Sequence, residues 1–166
     1  RDKKDNIIES QYAEYFEKEK VFKSVGLTKI TTSEKYVIEG EDITFNNKRG
    51  VIFSKKKAIL KDLEGNKILI KNFEYEIEKN IFKSIGFVKI DDKNGNTYEF
   101  SQIYIDTKKK EIIGTDIKAR MNPNQFGVNP QNKPRLFANT IQISKDKNTF
   151  NKGIFTICNY RKNDKC

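Results

Sequence analysis

The residues able to do chemistry are few in kind. The 166-residue chain carries 23 Asp+Glu and 33 Lys+Arg, no His, no Trp and two Cys. Without His there is no His-based triad and no imidazole metal ligand. Two cysteines cannot build a Cys₄ zinc site. Cys158 and Cys166, eight apart, admit two readings. They are a pair of reduced thiols, or a disulfide, which geometry rather than spacing decides. Carboxylates are abundant, but no spacing isolates an acid pair of the glycosidase kind. The nine Gly are scattered at turns, so no phosphate-cradling loop is formed. No strand–turn–helix serine elbow is present either. The chain therefore reads as non-enzymatic, with no cofactor and no metal. Binding remains, through apolar side chains or through lysines.

The lysines need a discount first. The net charge is +10, built from 28 Lys and only 5 Arg, alongside 17 Asn and 22 Ile. That surplus of Lys, Asn and Ile follows from AT-rich codon usage. A nucleic-acid reader would use more Arg, whose planar fork matches phosphates and base edges. The charge reads as a solvated surface, and no nucleic-acid partner is expected.

The elements that position the apolar residues repeat. VFKSVGLTKI at 21–30 matches IFKSIGFVKI at 81–90 at six of ten positions, with a weaker copy, VIFSKKKAIL, halfway between at 51–60. These positions give a period of about 30 residues, within the range of repeat architectures. It sets Tyr15, Phe45, Tyr75 and Ile105 in register, with Ala13, Ile43, Phe73 and Ile103 two positions before them. Phe22, Ile52, Phe82 and Ile112 follow seven positions after. A fifth copy, Ile141, Ile143 and Phe150, is displaced by eight further positions. The cause is the insertion MNPNQFGVNPQNKP at 121–134, a loop that holds all three Pro.

Alternation of apolar and polar residues marks strands with one buried face. Turns such as Asn46–Gly50, Asp106–Lys110 and Ser144–Asn148 are polar and cationic. Glu64-Gly65-Asn66 and Asn94-Gly95-Asn96 are hairpin signals. Residues 6–20 alone leave room for a helix, although Ala13 and Tyr15 fit the strand template. The chain reads as all-β, with about ten antiparallel strands in five hairpin-like units, one unit per period. No unit is stable alone, and stacking buries their shared apolar face. A closed barrel and a two-sheet jelly roll both suit this pattern, and interchangeable units favour the jelly roll. Its end strands are open edges able to accept another strand.

One domain spans 1–166, with the loop at 121–134 and a cysteine-containing junction at 157–166. No apolar run reaches the ~20 residues of a membrane helix. The chain starts without Met, which suggests a trimmed N-terminus. Cys166 as last residue suggests more protein beyond.

These residues resemble a family. The unit GEDITFNNKRGVIFSKKKAILKD resembles the OstA/LptA-like jelly rolls of lipopolysaccharide (LPS) transport. The ending NPQNKPRLFANTIQISKDKNTFNKGIFTICNYRKNDKC resembles the periplasmic N-terminal domain of LptD-type LPS-assembly outer-membrane proteins. Pro134-Arg135-Leu136, the Gly153–Cys158 strand and Cys166 carry that likeness.

The resemblance implies a passive conduit, a periplasmic domain of an outer-membrane protein. It would receive LPS from an LptA-like jelly roll at the N-terminal edge, near Ile7–Phe16. It would pass LPS to a β-barrel of the same chain, plugged by the lipoprotein LptE. Acyl chains would ride on Ile43, Phe45, Ile52, Phe73, Tyr75 and Phe82. The set continues with Ile103, Ile105, Ile112, Ile141, Ile143 and Phe150. Cys158 and Cys166 match the family's disulfide cysteines, paired together or with the barrel. Two other readings stand beside this one: a basic β module for an anionic polymer, or an LptA/LptC-type bridge component. A sealed core is the ordinary outcome of such alternation, and the pattern alone does not separate it from an open trough.

Overall fold

The computed structural model describes residues 5–129 and 132–157. Cys158 and Cys166 lie outside the described residues, as does most of the 157–166 junction. The strands are β1 (Ile7–Phe16), β2 (Val21–Thr31), β3 (Val37–Glu41), β4 (Thr44–Asn46), β5 (Val51–Ser54), β6 (Ala58–Lys61) and β7 (Lys67–Ile70). They continue as β8 (Phe73–Glu76), β9 (Ile81–Asp91), β10 (Thr97–Asp106), β11 (Glu111–Arg120), β12 (Arg135–Ile143), β13 (Asn148–Asn151) and β14 (Ile154–Thr156). A 3₁₀ turn, Pro123–Phe126, lies in the inserted loop. The segment 6–20 that left room for a helix holds strand β1, paired with β2 on both sides of a bulge between Ser10 and Tyr12, and the turn that follows it.

These strands join one antiparallel hydrogen-bonded network. The network folds along a corner into two facing halves. The first half runs β1-β2-β3-β6-β7-β9-β10-β11-β12-β14. The second runs β1-β2-β4-β5-β8-β9-β10-β11-β12-β13. Long strands cross both halves. The pairs β3/β4, β5/β6, β7/β8 and β13/β14 are crossings interrupted at the corner. Counted as crossings among the described residues there are ten, the number the repeat implies.

The corner has a local cause. Positive φ bends the chain at Gly26 (77°), Asp42 (50°), Gly86 (109°), Asp116 (52°) and Lys152 (51°). Glycine adopts such angles without a Cβ penalty. A bend leaves backbone groups without ladder partners, and a buried orphan is costly. Serines one period apart satisfy them. Ser24 Oγ donates to the Ile43 carbonyl at 3.1 Å and accepts the Ile43 N–H at 2.9 Å. Ser54 Oγ donates to the Glu41 carbonyl at 2.9 Å, and Ser84 Oγ donates to the Asn72 carbonyl. The next position in the series is Gly114, because the Phe100 ring occupies that space: an added Cβ would lie 2.4 Å from it.

The turns stack in two rows on the side opposite the corner. In the row ending the second half, Lys20, Gly50, Asn80 and Lys110 all take left-handed φ near 60°. The carbonyls of Lys20, Gly50 and Asn80 accept the N–H groups of Asn47, Ile77 and Thr107, each at 2.9 Å. In the row ending the first half, Asp62 and Asp92 each cap their own turn. Asn66 Oδ1 then accepts the Lys93 N–H at 3.2 Å, and Asn96 Oδ1 the Asn122 N–H at 2.8 Å. Each layer is thus fastened to the next by polar contacts at the corner and at both rows of turns.

Gly114→Ala is expected to destabilise the fold by about 1–3 kcal/mol through overpacking against Phe100. Urea unfolding checks this, and Phe100→Leu in the same chain should recover part of the loss.

Candidate functional site

The two halves face each other through apolar side chains. Cross-strand pairs build one ladder along the second half: Tyr15–Phe22–Phe45–Ile52–Tyr75–Phe82–Ile105–Ile112–Ile143. The seven-position spacing read from the sequence is the turn between paired residues, as in Phe45 with Ile52 and Tyr75 with Phe82. Nearer the corner, Ile103, Gly114, Ile141 and Phe150 are paired in succession. Phe73 stacks on Phe82, ring centroids 5.6 Å apart.

The sequence-selected positions divide by depth. Ile43, Ile52, Phe73, Tyr75, Phe82, Ile103, Ile105 and Ile141 are buried. Phe45, Ile112 and Ile143 are partly buried and pack on that core. Phe150 departs from the set: it pairs with Ile141 on the inner face, yet is 41 % exposed. It stands on β13, at the end of the stack, where no further described strand covers it. The facing wall was missed in the reading of the sequence. Ile30, Ile38, Leu60, Ile68, Ile90 and Tyr98 form its ladder. Its signal was present, since Ile30, Leu60 and Ile90 stand one period apart, as do Ile38, Ile68 and Tyr98.

In mid-stack the walls meet. Ile52, Ile70, Val88 and Ile103 are all 0 % exposed. The described interior is a closed core, with a cleft of about 250 Å³ on the side opposite the corner. From the first half it is lined by Glu34, Tyr36, Asp62, Leu63, Glu64, Asn66 and Ile68. From the second come Ile105, Thr107, Lys108, Lys110 and Ile112. The cleft thus lies between the two rows of turns, with apolar walls below a charged rim.

That rim is polarised. Asp62 and Glu64 face Lys108 and Lys110 across it. Glu64 accepts from Lys93 Nζ at 3.0 Å. The Lys93 hydrogen bond holds the Glu64 carboxyl below its ordinary value, with help from Lys93 and Lys110 charge. Burial pushes the Tyr36 phenol up, reinforced by Asp62, Glu34 and Glu64. Burial, reinforced by the charge of Asp92, pushes Tyr98 up to about 12; its hydroxyl donates to Asp92 Oδ2 at 3.3 Å. Among the described residues Lys108 and Lys110 hold no ion-pair partner within 4 Å, and no cluster of metal-ligating side chains occurs.

No protein-family model matches this sequence, and no curated protein does. A solved structure does match in fold. It is LptH, described as the LptA homologous periplasmic component of the lipopolysaccharide transport device from Pseudomonas aeruginosa. The TM-score is 0.58 at 20 % identity, over 66 % of this chain and 81 % of that one. The chain has the LptA-like β-jelly-roll fold that the repeat suggested.

Tyr98 yields a prediction whose sign follows from its raised value. An unfolded tyrosine ionises near pH 10. The stability tied to protonated Tyr98 is fully present below that pH and lost as pH rises from about 10 to 12. Thermal melts across this window should show a steeper alkaline decline than melts of Tyr98→Phe.

Proposed function

We propose that this chain is a periplasmic segment of an LPS conduit, with acyl chains carried between its two apolar walls. The observation that supports the reading is the cleft between the turn rows, apolar at its base. It is flanked by Lys108 and Lys110, which have no ion-pair partner among the described residues. An amphiphile with phosphates and acyl chains needs that order of surfaces. The likeness to LptH supports it through the shared fold.

The mechanism starts from a closed state. A cleft of about 250 Å³ falls below the ~300–1,000 Å³ of drug-sized ligand pockets. An acyl chain therefore enters by parting the turn rows. The corner is the natural hinge, because backbone continuity and the serine bridges hold the halves together there. Entry exposes wall residues such as Phe82 and Ile105 to the chain rather than to water. Each methylene buried contributes about 0.8 kcal/mol. Similar walls in every layer let a chain move along the stack without a single deep trap. Phosphates stay outside, where Lys108 and Lys110 form charge-assisted hydrogen bonds.

Within this reading, the Pro134-Arg135-Leu136 segment and the terminal cysteines favour an LptD-type placement. The chain then precedes an outer-membrane barrel with its LptE plug, and Cys158 and Cys166 serve its disulfides. Strand β1 is the edge offered to an LptA-like donor, and β13 with β14 forms the opposite edge.

Photocrosslinking residues placed at Phe45, Phe82, Ile105 and Ile143 are expected to capture LPS. The same residues at outward-facing Phe53, Glu74 and Tyr104 are expected not to. Capture only from the outward positions would contradict the conduit. Raising salt from ~0.1 to ~1 M shortens the Debye length from ~10 to ~3 Å. LPS capture should survive that change, whereas the anionic-polymer reading requires its loss.

A further inference from the structure

The outer face of the corner carries a second apolar and cationic surface that an internal conduit does not use. Leu27 is 63 % exposed and Val25 51 % exposed, flanking the bent Gly26. One double repeat later, Ile85 (55 %) and Phe87 (41 %) flank Gly86 in the same way. Between them lies an open groove of about 770 Å³. Its floor includes Leu27, Ile59 and Leu69, and its rim carries Lys55, Lys57 and Lys71 beside Glu39 and Glu41, whose charges are met by Lys61 and Lys56. Among the described residues these three lysines have no ion-pair partner within 4 Å. Neighbouring Lys56 is different, held 2.6 Å from Asp42. The two apolar crests are linked across the corner. A second depression on the other side of the corner shares Lys55 and Asn72 with the groove and includes Ile85. Lys71 and Asn72 also lie beside Gly86. Four inter-strand spacings of ~4.8 Å put the crests about 19 Å apart.

We propose that this corner rests on an anionic lipid bilayer surface. Exposed apolar side chains on a crest, flanked by free ammonium groups, match the interface between headgroups and acyl chains. An extended peptide is a poorer fit. The strands under the groove are paired on both sides, β3 with β6 and β6 with β7, so no free backbone row is offered. A groove this open would also leave a single small anion in water, where one lysine contact is weak. The site is independent of the LPS cleft, which opens on the opposite side of the fold.

Co-sedimentation of the full chain with vesicles tests this. Binding to phosphatidylcholine vesicles containing one third phosphatidylglycerol should exceed binding to phosphatidylcholine alone by about tenfold or more. Lys55→Glu with Lys57→Glu and Lys71→Glu should remove that excess, and Leu27→Ser with Phe87→Ser should weaken it. Reversal of Lys108 and Lys110 at the cleft should leave it intact. Circular dichroism establishes folding, and the milder Lys→Gln triple variant replaces any variant that does not fold. Equal binding to both vesicles, no binding, or loss only on reversal of Lys108 and Lys110 would overturn the proposal. So would triple variants that bind as the parent does, leaving the crests to a protein partner. Inorganic phosphate that competes as well as vesicles do would show anion binding without a bilayer, and would also overturn it. None of these outcomes bears on LPS capture at Phe82 or Ile105, so the two sites fail separately.

Discussion

The structure depends on a fold closed along one side only. The chain bends at the corner, and there the hydroxyls of Ser24, Ser54 and Ser84 donate to the carbonyls of Ile43, Glu41 and Asn72, Ser24 also accepting the Ile43 N–H. A buried carbonyl left unpaired costs about 1–3 kcal/mol. These hydroxyls therefore make a sharp bend compatible with a buried interior. On the opposite side the two rows of turns meet through no described strand. Closure there rests on the shared core of Ile68 and Ile105, with Ile112 packed against it, below a cleft rimmed by charged side chains.

That asymmetry explains the distribution of residue types. Apolar side chains occupy both inner walls, small hydroxyls the corner, and charged groups the free side. The lysine excess of the composition is concentrated where water is plentiful, in the turns and at the outer corner. Lys83 is the contrasting case, half-buried between Glu74 at 2.7 Å and Glu76 at 3.1 Å. It is a structural cation, whereas Lys108 and Lys110 face the cleft without ion-pair partners among the described residues.

Much of this was legible in the sequence, and the reasons differ by residue. The repeat of Tyr15, Phe45, Tyr75 and Ile105 announced a stack, because paired strands of equal length return the chain to the same face once per period. Ten crossings followed from it. The fourteen separate strands among the described residues did not, since the break between β3 and β4 comes from the backbone at Asp42 (φ 50°), and a non-glycine there gives no warning. The serines at 24, 54 and 84 shared the period but were passed over, because a lone serine in a strand reads as solvent-facing. The second wall was passed over for another reason. Ile30, Leu60 and Ile90 close the three repeated segments at 21–30, 51–60 and 81–90, but they lie across the corner from the Tyr15, Phe45, Tyr75 and Ile105 register that set the buried face. Phe150 shows the limit of pattern: the period reports the face but not whether another layer covers it.

The central claim is mechanical: the interior is closed at rest and opens at the turn rows to admit an acyl chain. A distance between the rows tests it most directly. Nitroxides on Leu63 and Lys109, with Cys158 and Cys166 replaced by Ser, report that distance by pulsed electron spin resonance. On addition of LPS the distance distribution should shift to longer values, while a pair spanning the corner, at Val25 and Lys57, stays fixed. An unchanged distance between the rows at saturating LPS, with LPS bound, would contradict the account.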